Sequence, residues 1–333
     1  MELRQRTLET VGLNMQGSIL ITGATGFIGS NLARHLLKLG IKDLHIFVRE
    51  NSNLWRIGDI LSDLNVHKVD LLNKETLKKT VSDIEPDVIY HNVAYGATYR
   101  NQQDSDLLIK TNFIASVNLL ESLIEKGFQI FINSGSCLEY GLLNKEFEES
   151  DLPNPVDLYG VTKLASTNYY KMISLSKDLP IVTLRIFFSY GYYESSAKLI
   201  PYLITSMLRD AEIVLHTPYA KRDYFFIDDL MDAFIKTNKK IDYIPRGSIL
   251  NIGSGIESTP MEIFKILKGI VGYTKDPIII ENYLLKDKLP VLRANIAKAR
   301  STIDWEPRIG LKEGLRKAVQ WFEKNLDLYE GIY

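Results

Sequence analysis

The sequence predicts an α/β protein, a doubly wound parallel sheet joined to a smaller, mostly carboxyl-terminal α/β region. Three observations carry that prediction. Short apolar runs of strand character alternate with amphipathic stretches of helical period between residues 18 and 187. A glycine-rich turn, Gly23-Ala24-Thr25-Gly26-Phe27-Ile28-Gly29, directly follows the first of those runs. The chain of 333 residues is long enough to bury one large core or two fused ones. Regular alternation of this kind feeds parallel strands through right-handed helical crossovers.

The expected strands of the sheet are Ser18–Thr22, Asp43–Val48, Val66–Val69, Val88–His91, Gln129–Asn133 and Ile181–Phe187. Each is a short apolar run bounded by polar or turn residues. Between them, Asn31–Leu39 sets Leu32, Leu36 and Leu39 on one helical face, and Asn112–Lys126 does the same with Phe113, Val117, Leu120 and Ile124. Val156–Leu175 reads as a further helix. Beyond Gly191 the rhythm changes. Helices are expected at Lys198–Arg209, Ile227–Lys236, Pro260–Val271 and Leu311–Asn325, with short strands near Glu212–Leu215, Ile249–Ile252 and Pro277–Ile280. Residues 1–16 read as an amino-terminal extension, 17–190 as the main sheet domain, and 191–333 as a second region with some chain crossing back. No low-complexity linker separates the two regions, so they are expected to share a cleft.

Composition excludes several classes of function. Forty Lys and Arg against 41 Asp and Glu give a formal net charge of −1, so no nucleic-acid partner is expected. Cys137 is the single cysteine, and no internal disulfide can form. His35, His45, His67, His91 and His216 are scattered without ligand spacing, so no metal site is expected. Residues 1–17 lack an apolar signal core, and no uncharged run is long enough to cross a bilayer. The expectation is a soluble cytoplasmic protein with no membrane partner.

The glycine turn is the strongest local signal. Gly23 permits a tight turn, Gly26 lets backbone approach a pyrophosphate, and Gly29 lets the helix pack closely on the strand. The helix N-terminus adds free N–H groups and a partial positive charge. The turn therefore reads as the dinucleotide cradle of a Rossmann-like sheet, and Thr25, Phe27 and Ile28 belong to the same expected contact. At the end of the second strand, an acidic residue would bond a ribose 2′-hydroxyl and select NAD, whereas an arginine accommodates the 2′-phosphate of NADP. Arg49 and Glu50 are adjacent there, so register decides; Arg49 at the ribose favours NADP(H) over NAD(H). Asp70, with Leu71 beside it, follows the third strand, where a carboxylate reaches an adenine amino group. His91 ends the fourth strand beside the expected cofactor path, with a core role as the competing reading.

Tyr159 and Lys163 lie four residues apart, on one face of the expected helix. An ammonium beside a phenol favours the phenolate and brings its pKa toward the working range of an acid/base. Lys163 is also placed to hold a nicotinamide ribose. Ser136, past the fifth strand, is the candidate donor to a substrate oxygen beside Tyr159, and Ser134 is its competitor.

With these residues assembled, the chain resembles the extended short-chain dehydrogenase/reductases, in the branch acting on nucleotide-diphosphate sugars. The matching positions are Gly23, Gly26 and Gly29, Asp70, Ser136 with Tyr140-Gly141, Tyr159 with Lys163, Leu184-Arg185, the Arg222-Asp223-Tyr224-Phe225-Phe226-Ile227-Asp228-Asp229 run, Leu250-Asn251-Ile252-Gly253 and Trp305-Glu306-Pro307. The resemblance implies Tyr159 as acid/base, Lys163 as its tuner and ribose ligand, and Ser136 as holder of the reacting oxygen. It implies Arg222, and less directly Arg293, as contacts to a nucleotide-diphosphate sugar, with Ser134 on the substrate side and Asn112 near the catalytic group. It further implies a homodimer packed through Asp106–Lys126 and Val156–Lys177.

Departures from the family pattern narrow the reaction. Dehydratases of this branch carry Asp-Glu directly after the serine, where this chain has Cys137-Leu138, and the related decarboxylases carry glutamate at the position of Leu138. Glu139 falls one position later. Phe188-Ser189 stands where relatives often carry asparagine. Two reactions remain: reduction of a 4-keto nucleotide sugar, which the segment 134–141 and Arg49 favour, and C4-epimerisation with a tightly held NAD. A cofactor-binding protein without chemistry is the third reading, and the intact Ser136, Tyr159 and Lys163 argue against it.

Overall fold

The computed structural model describes residues 17–97, 104–142, 145–280 and 292–329. The expected extension, residues 1–16, lies outside them. Seven parallel strands form the central sheet: β1 (Ile19–Thr22), β2 (Leu44–Val48), β3 (Asn65–Lys68), β4 (Val88–His91), β5 (Ile130–Ser136), β6 (Ile181–Ile186) and β10 (Ile249–Ile252). Their order across the sheet is β3-β2-β1-β4-β5-β6-β10. Strand order reverses between β1 and β4, and the register sets Thr22 beside His91 and His91 beside Asn133. That places the carboxyl ends of β1, β4 and β5 around one crevice, where doubly wound sheets bind ligands.

Alternation along the strands fills two cores. Ile19 and Ile21 face one, with Leu32, Leu36 and Phe234; Leu20, Ile89 and Phe131 face the other, with Leu77, Val81, Leu119 and Tyr170. The helices delivering these side chains are α1 (Phe27–Lys38) and α6 (Ile227–Lys239) on the first face, and α2 (Lys74–Ile84), α3 (Ser105–Ile124) and α4 (Leu158–Lys177) on the second. α3 is 20 residues long with mean hydropathy 1.4, the length and composition of a spanning segment. Here one side of it is buried in the fold, and that side carries hydrogen-bonded Asn112, Ser116 and Asn118.

The rest of the chain builds the wall opposite. β7 (Phe188–Tyr190), β9 (Arg222–Phe226) and β11 (Glu257–Ser258) form a three-stranded sheet in the order β11-β9-β7. β8 (Val214–Leu215) pairs with β12 (Ile278–Ile279). α5 (Leu199–Leu208), α7 (Pro260–Val271) and α9 (Leu311–Asn325) pack on one another, and α8 (Ala297–Ile303) lies against β10 and α6. β10 comes from the carboxyl-terminal half yet completes the large sheet beside β6.

Several boundaries differ from the sequence expectation, each for a physical reason. α1 starts at Phe27 rather than Asn31, because the leucine stripe marks where the helix packs, not where it begins. α3 starts at Ser105, capped by Asp104, whose carboxylate accepts the Leu107 N–H at 2.9 Å. β5 continues past Asn133 to Ser136, because Ser134, Gly135 and Ser136 stay in register with Leu184, Arg185 and Ile186 of β6. Ser134 and Ser136 are thus strand residues rather than loop residues. α4 starts at Leu158 behind an Asp157 cap, which accepts the Gly160 N–H at 2.7 Å.

Candidate functional site

The glycine turn between β1 and α1 is shaped by close approach. Gly23 has a φ of +73°, and a Cβ there would stand 2.7 Å from the Asn92 carbonyl. A Cβ on Gly29 would stand 2.3 Å from the Gly23 oxygen, so only glycine lets α1 sit this low on the turn. At Gly26 the nearest obstacle is the Gly23 oxygen at 3.2 Å, and the outer side is open. α1 has no side-chain cap and no acidic residue in its first turn. Its first N–H groups and its dipole face outward, an arrangement suited to a diphosphate. Phe27 and Ile28 are half-buried, and Thr25 offers its carbonyl to Arg56 Nη1 at 3.3 Å. The cradle therefore fits a dinucleotide by its own shape.

Arg49 is the first residue past β2, is exposed, and forms no ion pair among the described residues. Its N–H donates to Ser52 Oγ at 2.9 Å. Glu50 is held by Lys68 at 2.7 Å. Asp70 is exposed and uses one oxygen to accept the Leu72 N–H at 2.9 Å, a turn contact. Leu71 is buried, and its carbonyl accepts from Asn118 Nδ2 at 2.9 Å. His91 is a core residue. It bridges Thr22 Oγ1 at 2.7 Å and Ser116 Oγ at 3.0 Å, and burial with the nearby Lys163 charge pushes it down to about 3.

Tyr159, Lys163 and Ser136 converge at the carboxyl end of β5, all buried. Tyr159 and Lys163 project from one face of α4, as their spacing predicts. A Cβ on Gly160 would stand 2.5 Å from the Leu138 carbonyl, so glycine lets α4 press against the turn after Ser136. The expected depression of the phenol by Lys163 is reversed in the protein alone. Burial pushes Tyr159 upward, the Cys137 and Glu139 charges add to the rise, and a hydrogen bond with Ser136 opposes it. Burial brings Lys163 down to about 8, with Glu139 acting upward. Desolvation wins because both groups are buried, and it disfavours whichever form carries charge. The positive ring of an oxidised nicotinamide would act downward on the phenol.

Supporting contacts fix the site. Asn112 holds Tyr95 by two backbone bonds, at 2.7 and 2.9 Å, and donates to Thr162 Oγ1 at 3.0 Å, between Tyr159 and Lys163. A π turn over Lys110–Ile114 leaves the Asn112 carbonyl accepting from Ser116 and from Ser166 of α4. Ser134 Oγ donates to Asn92 Oδ1 at 2.6 Å, and the buried Asn92 Nδ2 has no protein partner. Ser136 Oγ accepts the Leu138 N–H at 3.2 Å.

The opposite wall brings cations. Arg222 lies over the Phe188 ring at 5.7 Å, donates to the Lys221 carbonyl, and is near enough to Cys137 to lower its thiol against the stronger effect of burial, which pushes it up to about 12. Asp223 and Asp229, in the same run as Arg222, are structural. Asp223 accepts from Ser254, Gly255 and Ala294, and Asp229 accepts the Arg308 and Ile309 N–H groups. Arg293 is engaged by Glu257 at 3.1 Å and Glu146 at 3.8 Å. Lys198 escaped the sequence reading. It donates to the Ala97 carbonyl at 2.8 Å and lies within electrostatic reach of Glu194 and Cys137. Its place at the start of α5 gave no local signal; only the fold carries it across the cleft.

A glycine turn shaped for a dinucleotide and a buried Ser136, Tyr159 and Lys163 in one fold are the combination expected of a nicotinamide-dependent enzyme. The chain matches the NAD dependent epimerase/dehydratase family over residues 19–253 and belongs to it. It is 25% identical over 330 residues to the UDP-glucuronate 4-epimerase of Thermodesulfobacterium geofontis, covering 95% of this chain and 99% of that one. Among solved structures it is similar to the UDP-glucose 4-epimerase of Thermotoga maritima with UDP-glucose, at TM-score 0.83 and 27% identity over 93% of this chain and 99% of that chain. It is likewise similar to the UDP-glucuronic acid 4-epimerase of Bacillus cereus with UDP-glucuronic acid and NAD, at TM-score 0.78 and 26% identity over 92% and 99%.

Proposed function

We propose that this chain oxidises and reduces C4 of a nucleotide-diphosphate sugar, and that it acts as a C4-epimerase on a uridine-diphosphate hexose or hexuronate. The observation that carries the reading is the convergence of buried Ser136, Tyr159 and Lys163 at the crevice opened by the glycine turn. The similarity to two 4-epimerases over nearly the whole chain supports it. A bound nicotinamide supplies hydride acceptance and donation. Tyr159 takes the proton of the C4 hydroxyl as the carbonyl forms and returns it as the hydroxyl is rebuilt. Ser136 donates to the same oxygen and fixes its position. Lys163 holds the nicotinamide ribose, and Arg222 binds the diphosphate, for which its planar fork is suited.

Arg49 favours a second reading, a 4-ketoreductase drawing on dissociable NADP(H). Glu50 is tied to Lys68, which leaves Arg49 as the charged residue at the expected ribose position. One assay separates the two. UDP-glucose, UDP-glucuronate and a 4-keto-6-deoxy sugar nucleotide are each supplied with NAD, NADH or NADPH. Interconversion of a UDP-sugar without net cofactor turnover supports the epimerase; stoichiometric NADPH consumption on the keto sugar supports the reductase. Failure of every substrate would remove both.

A further inference from the structure

We propose that Glu139 is a positioning residue, a buried carboxylate that locks Ser136 to the Tyr159–Lys163 face of α4, with Arg185 as its counter-charge. The inference rests on Ser136, Tyr159 and Lys163 being the reacting set. Glu139 follows β5 in a single 3-10 turn, Cys137–Glu139, and its side chain folds back under the strand end. One oxygen accepts the Ser136 N–H at 2.8 Å and the Thr167 hydroxyl at 3.0 Å. The other accepts from Arg185 Nε of β6 at 2.8 Å. Thr167 is one helical turn beyond Lys163, which is one turn beyond Tyr159, so all three lie on one face of α4. A single carboxylate thus joins the two elements that must hold their separation for Ser136 and Tyr159 to meet one oxygen.

The surroundings are fitted to this carboxylate. A Cβ on Gly135 would stand 2.8 Å from Glu139 Oε1 and 2.7 Å from Thr183 Cγ2. Arg185 lies over the Tyr140 ring at 4.3 Å, and its Nη1 is buried without a partner. An incompletely bonded buried ion pair is a poor way to gain stability, since apolar residues of similar volume do as well or better. Its placement beneath Ser136 gives it a different use.

The titratable groups facing the site are Cys137 and Glu139 from the turn, Asp157 from the α4 cap, Lys163 from α4 itself and His91 from β4, of which burial keeps Cys137 and His91 neutral. Of these, Glu139 acts directly on both Tyr159 and Lys163, raising each. Removing its charge is therefore expected to lower the Lys163 midpoint, and a fall in kcat with KM held is the sign that the carboxylate positions Ser136.

The test is a ¹³Cε-lysine NMR titration of the whole chain, with Lys163→Met used to assign the signal. Glu139→Gln keeps an acceptor for Ser136 but strands the Arg185 charge, so Glu139→Gln with Arg185→Met is the decisive variant. The double variant is expected to melt near wild type; Glu139→Gln is expected to move the Lys163 midpoint down, and the double variant to move it less, because it also removes the opposing Arg185 charge. Its kcat is expected to fall about tenfold with KM little changed, measured on the sugar nucleotide that wild type turns over. A folded double variant with wild-type kcat would overturn the role of Glu139. Tyr159→Phe, run in parallel, checks the underlying reading: full turnover there would overturn the reacting set itself, whatever Glu139 does.

Discussion

Gly29→Ala tests the cradle with a single methyl group. The added carbon would stand 2.3 Å from the Gly23 oxygen and 2.8 Å from the Ala24 Cα. A relaxed contact needs roughly 3.3 Å, so α1 must retreat from the turn by about 1 Å. Both obstacles are backbone, and neither can swing aside. Overpacking of this kind costs about 1–3 kcal/mol. Because the displaced element is the one whose N–H groups face the diphosphate, a cost drawn from binding raises the dinucleotide Kd by about 5- to 150-fold. The assay is fluorescence titration with NADH and NADPH alongside thermal unfolding. Gly269→Ala is the control: this glycine is exposed in α7, and a Cβ there meets nothing within 4 Å. It is expected to gain about 0.5–1 kcal/mol and leave binding alone. A Gly29→Ala protein that bound both dinucleotides as tightly as wild type would refute the packing argument.

Four further outcomes are expected. Tyr159→Phe lowers kcat by about 10²- to 10⁴-fold while dinucleotide affinity stays near wild type; isothermal titration separates the two, and loss of binding with activity would count against an acid/base role. Arg49→Glu weakens NADPH more than NADH in paired Kd measurements, and an unchanged ratio removes Arg49 from the ribose. Glu194 is buried with Oε2 unpartnered, and burial raises its carboxyl to about 8, so the folded protein holds a proton that the unfolded chain loses above about 4.5. Its contribution to stability is therefore complete at low pH and declines as pH rises toward 8, so Glu194→Gln matches wild type at pH 4.5 and melts higher at pH 8.5. Ile109 and Ile114 of α3 and Val161, Met172 and Leu175 of α4 expose apolar side chains; on these faces a homodimer is expected by light scattering, and Val161→Asp with Met172→Asp is expected to give monomer.

Sequence showed most of the framework because period and composition report burial. Pro260–Val271, Leu311–Asn325 and Ile249–Ile252 were placed to the residue, each bounded by a proline, a glycine or a charge change. The Tyr159–Lys163 spacing was legible because a helix face follows from spacing alone. What stayed hidden depends on pairing between distant segments. Ser134 and Ser136 fall past the expected strand end at Asn133, and only the register with β6 keeps them in the sheet. Lys198 and Glu194 carry no local signature, and their roles arise from where β7 turns the chain. Glu139 was visible as a departure from the family pattern, but its partners Thr167 and Arg185 lie 28 and 46 residues away. The upward push on Tyr159 was missed because charge neighbours can be guessed from spacing while desolvation cannot.

The most direct measurement is a crystal structure of the protein with NAD and UDP-glucuronate. The expected density places one sugar hydroxyl oxygen within about 2.6–3.2 Å of both Tyr159 Oη and Ser136 Oγ, with its carbon facing the nicotinamide and the diphosphate of the cofactor on the N-terminus of α1. A sugar held with every hydroxyl remote from that phenol, or a dinucleotide bound away from Gly26, would contradict the assignment.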